Sequence, residues 1–299
     1  MVALLEKTYQ QLHLAKSRKE ELLKRLVKRV SEELGINISG NSSILGLTPK
    51  DKVHELLMKL QPINNGHQLV RIGGQSDGGY LLPNDFHDIS VCFSPGSNLL
   101  WNFERELAES YGIRSYICDS EDQRPPDLSD LQTFSAHWVG PYSDGEKVLS
   151  LQDWILNSLT DSTKGDWILQ MDIEGAEFLT LLALPNSLLE RFRIITIELH
   201  FLETIKNRFA FEQIYKPFFE KILSRFDIVH LHPNNCCGLW SYGSIKFPRI
   251  VELTLHRKDR RLDLHKKFKS EHELDRPCVQ GLQDYDLIYK NTSFNVVEK

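Results

Sequence analysis

From residue 88 onward the chain alternates short apolar runs with segments that are apolar at helical intervals, and that alternation leaves few folds open. The runs are "ISVCFS" (89–94), "RSYICD" (114–119), "TFSAHWV" (133–139), "DWILQMD" (166–172), "FRIITIELH" (192–200), "FDIVHLH" (226–232) and "RIVELTLHR" (249–257). Between them lie "LLWNFERELAESYG", "VLSLQDWILNSL", "EFLTLLAL" and "FAFEQIYKPFFEKILSRF", each with a helical stripe. Strand and helix in turn predict βα units stacked into one mostly parallel sheet, an α/β fold of Rossmann-like type with seven strands. At 299 residues and 41% hydrophobic, the chain has enough apolar mass for one large core with additions at its ends.

Those additions differ in character. Residues 1–62 read as an N-terminal helical extension: Leu4, Leu5, Leu12, Leu22, Leu23, Leu26, Val27 and Val30 recur at helical spacing, and Thr48, Pro49 and Asp51 start a further helix. Seven basic residues between Lys16 and Arg29 suit a solvated face on a packing helix, through which a homodimer could form. Residues 63–299 hold the main domain, ending in a charged tail after Arg257 that is expected to wrap the core surface. The net charge of −5 gives no general pull toward nucleic acid or an anionic membrane, so a small polar substrate is expected. No apolar run near the start could serve as a signal core or membrane span. Five cysteines with no CxxC pair suit a reducing compartment, the cytoplasm.

In an open α/β sheet, ligands bind beyond the carboxyl ends of the strands, where the loops diverge. The first run ends in "SPGSN", Ser94, Pro95, Gly96, Ser97 and Asn98, a turn whose single glycine lets backbone come close to a ligand. The second ends in Asp119 and Ser120, and an acid there is placed to accept hydrogen bonds from both hydroxyls of a ribose. One glycine in place of GxGxxG fits an adenosine cofactor without a pyrophosphate. The fourth and fifth runs end in Asp172 and Glu198, with His200 on the same face, and Glu174 follows at the cleft. Glu177 falls in the first turn of the next helix, where the dipole favours a carboxylate, and reads as structural. His230 and His232 share a face. With the last strand inserted between the fifth and sixth, His232 and His200 would stand roughly 10 Å apart, so no zinc is expected. Asn234 and Asn235 form a polar loop suited to orienting a hydroxylated substrate. "VRIGGQSDGGYLLP", with Gly73, Asp77 and Tyr80, reads equally as a hairpin or as a flap over the cofactor.

"RIGGQSDGGYLLP", "FSPGSNLLWNFERELAE", "YICD", "LQMDIEGAEF", "IELHFL" and "HLHPNN" occur in the order found in FkbM-type S-adenosylmethionine-dependent methyltransferases, which the chain resembles over about residues 68–256. The resemblance implies a class I methyltransferase sheet with an antiparallel last strand and O-methylation of sugars, glycans or secondary metabolites. It further implies S-adenosyl-L-methionine contact at Ser94 to Asn98 and at Asp119, with Asp172 at the junction of cofactor and substrate. The first turn departs from the acid and two or three glycines that many methyltransferases carry.

Methyl transfer to a hydroxyl needs a base: His200 or His232, or else Asp172 and Glu198 holding a divalent cation that acidifies the hydroxyl. A nucleotide-binding oxidoreductase would use the same glycine and Asp119, and a non-catalytic scaffold would leave the cleft unused.

Overall fold

The computed structural model describes residues 46–98, 100–160, 163–262, 272–290 and 293–298. The described residues from Leu47 onward form one compact unit. The amphipathic helix expected over residues 1 to about 35, and the homodimer expected through it, lie outside the described residues.

The compact unit opens with the helix Lys50–Met58, whose Val53, Leu56 and Leu57 are buried in the main core. An antiparallel hairpin follows, β1 (Leu69–Ile72) and β2 (Tyr80–Pro83), pairing Leu69 with Pro83 and Ile72 with Tyr80. The glycine-rich stretch is thus a hairpin, with its loop pinned by Arg71, which donates to the carbonyls of Gly74 (2.5 Å) and Ser76 (2.9 Å).

Strands β3 (Ile89–Pro95), β4 (Arg114–Asp119) and β5 (Gln132–Ala136) come next. The small pair β6 (Trp138–Gly140) and β7 (Val148–Ser150) is followed by β8 (Asp166–Met171), β9 (Phe192–Leu199) and β10 (Phe226–Pro233). A hairpin, β11 (Leu239–Tyr242) and β12 (Ile245–Pro248), leads into β13 (Val251–Arg257). The seven-stranded sheet runs β10-β13-β9-β8-β3-β4-β5, with β13 alone antiparallel to its neighbours.

Continuous burial of β8 and β9 explains why their sequences are near-continuous apolar runs: both faces are covered. Successive side chains feed two separate cores. Val91, Phe93, Leu169 and Ile195 join the larger one with Trp154, Phe178, Phe218 and Phe219 from the helices. Cys92, Ile168 and Ile194 join the smaller one with Ile72, Tyr80 and Leu82 of the hairpin and Phe103 and Leu107 of the helix Asn102–Tyr111. That helix stops at Gly112, whose left-handed φ of 66° lets its N–H return to Ala108.

The chain leaves β3 toward β4 and β5, then crosses back to β8 on the other side. The order therefore reverses between β3 and β8, and the crevice opens where those strands end, at Pro95 and Met171.

Two expectations change. The run 133–139 is divided into β5 and β6 by a tight turn in which the His137 N–H reaches Ser135 O (3.0 Å). Part of the charged tail is ordered as a further hairpin, β14 (Tyr285–Lys290) and β15 (Ser293–Glu298), which seats Leu287 and Phe294 in the main core. No helix among the described residues is long and apolar enough to cross a membrane.

Candidate active site at the carboxyl edge of the sheet

The turn after β3 is stitched to the end of β8. Gly96 (φ 84°) donates to Cys118 O (2.9 Å), and the Asp172 N–H donates to Pro95 O (3.2 Å). A Cβ on Gly96 would lie 1.7 Å from the carbonyl oxygen of Asp172, so the close approach that demands glycine here is made by the protein's own backbone. Asp119 closes the turn from the side: its carboxylate accepts the N–H of Asn98 (2.9 Å) and of Ser120 (2.7 Å), leaving one lone pair on each oxygen for a ligand.

Ser94 is fully buried, its hydroxyl held between the carboxyl of Glu104 and Gln170 Oε1 (2.5 Å). One hydroxyl proton serves only one of these two acceptors at a time. Burial pushes the Glu104 carboxyl up to about 7 against the hydrogen bond from Ser94, which lowers it. Gln170 in turn approaches the Tyr80 hydroxyl (3.4 Å), tying the hairpin to the sheet.

A small pocket of about 20 Å3 lies between this turn and the hairpin loop, lined by Asp77, Tyr80, Gly96, Ser97, Asn98, Phe103, Glu104, Gln170 and Asp172. Three buried polar atoms on its wall, Ser97 Oγ, Glu104 Oε2 and Asp172 Oδ1, find no hydrogen-bond partner among the described residues. Such atoms are costly unless a ligand or water satisfies them.

Beside the pocket sits His200. Its Nδ1 contacts Glu177 Oε1 (3.1 Å), while Nε2 faces Glu198 (3.4 Å), Glu174 (3.7 Å) and Asp172 (3.8 Å). Burial pulls the imidazole pKa down, but Glu177, Glu198 and Asp172 outweigh it and hold the ring at about 10, an imidazolium at neutral pH. Asp172 moves the other way. Burial raises it against the pull of His200, Glu174, Glu177 and Asp77 add to the rise, and the carboxyl reaches about 7. Glu198 is also raised well above the usual carboxylate range, chiefly by burial and by Asp172, and accepts a hydrogen bond from Asn234 Nδ2 (3.0 Å).

Glu177 is structural as expected, though through specific bonds as well as helix position. Its fully buried Oε1 accepts the N–H groups of Ile173 (3.2 Å) and Gly175 (2.9 Å) as well as contacting His200. The turn it closes is tight: Glu174 adopts φ 59°, and a Cβ on Gly175 would meet Phe201 at 2.2 Å. Asn98, Glu174 and Phe201, three of the four described non-glycine residues with positive φ, all border this edge, where such strain commonly marks function.

The inserted β13 has a consequence that sequence reading missed. In register, His232 pairs with Glu252, and Glu252 with Glu198, so Glu252 links the two ends of the cluster. Four groups of donors come within metal-binding reach: Asp172/Glu198/His200, Asp77/Glu198/Glu252, His232/Glu252/Cys278 and His67/Asp85/His256. The last is an ion-pair network, since Asp85 already holds Arg193 and Arg260. His232 Nδ1 stands 3.6 Å from Glu252, and His230 contacts Asp275 (2.9 Å).

The expected substrate residues Asn234 and Asn235 are both buried, with both ends of each amide engaged inside the protein. Asn234 bridges Glu198 and the Cys236 N–H, and Asn235 holds Val279 from both sides. Glu174, more than half exposed, stands at the rim of the cleft. Glu104, Gln170, Glu252 and Cys278 are site residues the sequence did not disclose. The available signals were a carboxylate inside the apolar run "RIVELTLHR" and a polar glutamine inside "DWILQMD".

In chain order the sheet's strands lie third, second, first, fourth, fifth, seventh, sixth, with the seventh antiparallel and the crevice at the first and fourth. This is the Rossmann-like fold of class I methyltransferases. No family model matches the chain, and no curated protein matches it. Among solved structures it is similar to precorrin-6y C5,15-methyltransferase from Geobacter metallireducens (12% identity, 73% of this chain and 94% of that one, TM-score 0.30). It is also similar to a variant of the 16S rRNA (adenine(1408)-N(1))-methyltransferase from Catenulisporales acidiphilia (9% identity, 65% and 100%, TM-score 0.29). A human methyltransferase 10 domain containing protein is a third (11% identity, 80% and 97%, TM-score 0.27). At these scores the fold assignment rests on strand order and direction.

Proposed function

We propose that the protein is an S-adenosylmethionine-dependent methyltransferase that methylates a hydroxyl of a small polar acceptor, a sugar, glycan or secondary metabolite, in the manner of FkbM-type enzymes. The observation that carries this reading is the pocket beside Gly96, where Ser97 Oγ, Glu104 Oε2 and Asp172 Oδ1 are buried without a hydrogen-bond partner among the described residues. Ser97 Oγ and Glu104 Oε2 suit the charged amino-acid end of the cofactor, Asp172 Oδ1 is left to face the acceptor, and the remaining lone pairs of Asp119 suit the ribose hydroxyls. When bound, the cofactor supplies an electrophilic methyl group.

The chain's own residues then handle the proton. Asp172 Oδ1 takes it from the acceptor hydroxyl, since a carboxylate poised near 7 is matched to neutral pH. His200 is no base in this state. It is an imidazolium fixed by Glu177 that keeps Asp172 and Glu198 from repelling one another. His232, also raised despite its burial, lies with Glu252 on the far side of the cluster and has no part in this proton transfer. Asp77 and Tyr80 form the hairpin wall over the cofactor, while Gly73, whose N–H is held by Glu106, lies outside that lining. Five free cysteines, three of them buried, fit a cytoplasmic enzyme whose partner is its small-molecule acceptor.

The test is thermal shift with S-adenosylhomocysteine against NADH. At a hundredfold excess over Kd, selective binding adds about 2.7 kcal/mol and raises Tm by roughly 5–10 °C. A shift with NADH alone would assign the cleft to an oxidoreductase, and no shift with either would mark it as a scaffold.

A further inference from the structure

Next to the adenosyl pocket the sheet presents a second set of donors. His232 on β10 and Glu252 on β13 are directly paired, and the segment before β14 brings Cys278 against them, its Sγ 3.0 Å from Glu252 Oε1. All three side chains are buried, and one ligating atom from each lies within 4.8 Å of the others.

The imidazole is the anomaly. His232 is 2% exposed, yet its Nε2 has no hydrogen-bond partner among the described residues, and its Nδ1 lies 3.6 Å from Glu252 Oε2, longer than a hydrogen bond. A buried ring nitrogen left without a hydrogen bond is expensive unless something else takes its place. We infer that His232, Glu252 and Cys278 bind a zinc ion that clips the segment carrying Cys278 onto β13.

Two lines of chemistry agree. Thiolate, imidazole and carboxylate are the donors zinc takes, at about 2.0–2.3 Å each, so tetrahedral neighbours stand roughly 3–4 Å apart. Glu252 reaches Cys278 Sγ through Oε1 (3.0 Å) and His232 Nδ1 through Oε2 (3.6 Å), so its carboxylate lies between the other two donors. Charge balances as well, since one thiolate, one carboxylate and one neutral imidazole cancel a divalent ion in a buried site. Apart from this site the segment is held mainly by polar bonds, His230 to Asp275 and Asn235 to Val279 and Leu282. A metal tie would therefore be its strongest anchor.

The full chain, stripped with a chelator and dialysed against zinc, should retain one ion per molecule by mass spectrometry of the metal. Cobalt in its place should give a near-ultraviolet thiolate charge-transfer band. Cys278→Ser should abolish that band, and Glu252→Gln or His232→Gln should weaken zinc binding by about 10- to 100-fold or more. The competing thiols are the exposed neighbours Cys236 and Cys237, with sulfurs 2.6 Å apart, so the double variant Cys236→Ser, Cys237→Ser is the control and should keep the band. The inference is overturned by a wild-type chain with no thiolate band, by a band that survives Cys278→Ser, or by one lost with the double variant. Should Cys278→Ser fail to fold, the wild type and the double variant decide alone, because Cys92 and Cys118 belong to none of the donor groups.

Discussion

Replacing Gly96 by alanine should damage stability and cofactor binding together, because one backbone crossing serves both. The added Cβ would begin 1.7 Å from the Asp172 carbonyl oxygen, so the end of β8 must retreat by more than an ångström. Left-handed φ at a residue with a Cβ costs about 1–2 kcal/mol, and forcing packed backbone apart about 1–3 kcal/mol. Weakening the Gly96–Cys118 and Asp172–Pro95 hydrogen bonds adds to this, for a total of roughly 3–5 kcal/mol, a large part of a typical folding free energy of about 5–15 kcal/mol. The movement carries Asp172 with it, and a misplacement of about 1 Å lowers turnover on the order of 100-fold. Urea unfolding followed by tryptophan fluorescence gives the stability, and calorimetric titration with S-adenosylhomocysteine gives the affinity. A variant within about 1 kcal/mol of wild type that binds the nucleoside normally would refute the close-approach argument.

Turnover should rise with pH through about 7 as Asp172 ionises and fall again toward about 10 as His200 loses its proton, the pair titrating as one system. Asp172→Asn should lower turnover by about 100- to 10,000-fold while S-adenosylhomocysteine still binds; a profile flat on either side of 7 would remove Asp172 from the base role. Glu104 holds its proton to about pH 7 in the folded protein against 4.5 ordinarily, so stability falls as pH rises from 4.5 through about 7. Glu104→Gln should therefore gain on wild type across that window, by an amount on the order of 3 kcal/mol above pH 7, and a difference independent of pH in parallel urea titrations would count against a protonated Glu104.

Most of the sheet was legible because strands buried on both faces must be continuous apolar runs, and six of the seven predicted runs match a strand to within two residues at each end. The seventh was overextended since apolar pattern does not reveal the turn at His137. The final hairpin was hidden by the charged stretch before it, although "YDLIYK" and "SFNVVE" carry their own pairing pattern. At the site, strand ends gave Asp172, Glu198 and His200, because residues ending adjacent parallel strands must meet. Glu252 and Cys278 could not be found that way: their nearness to His232 comes from cross-strand register and from a segment distant in the chain. Glu104 was equally obscure, since "NFERELAE" reads as an amphipathic surface helix, while its carboxyl points inward to Ser94.

The insertion of β13 between β9 and β10 also governs how the molecule is made. During synthesis both neighbours emerge from the ribosome before the strand that separates them, leaving two apolar edges facing a gap. Only when residues 251–257 arrive is that gap closed and Glu252 delivered to Glu198 and His232. A nascent chain truncated before that point would carry the turn at Gly96 and only part of the acidic cluster, with two strands free to recruit the wrong partner.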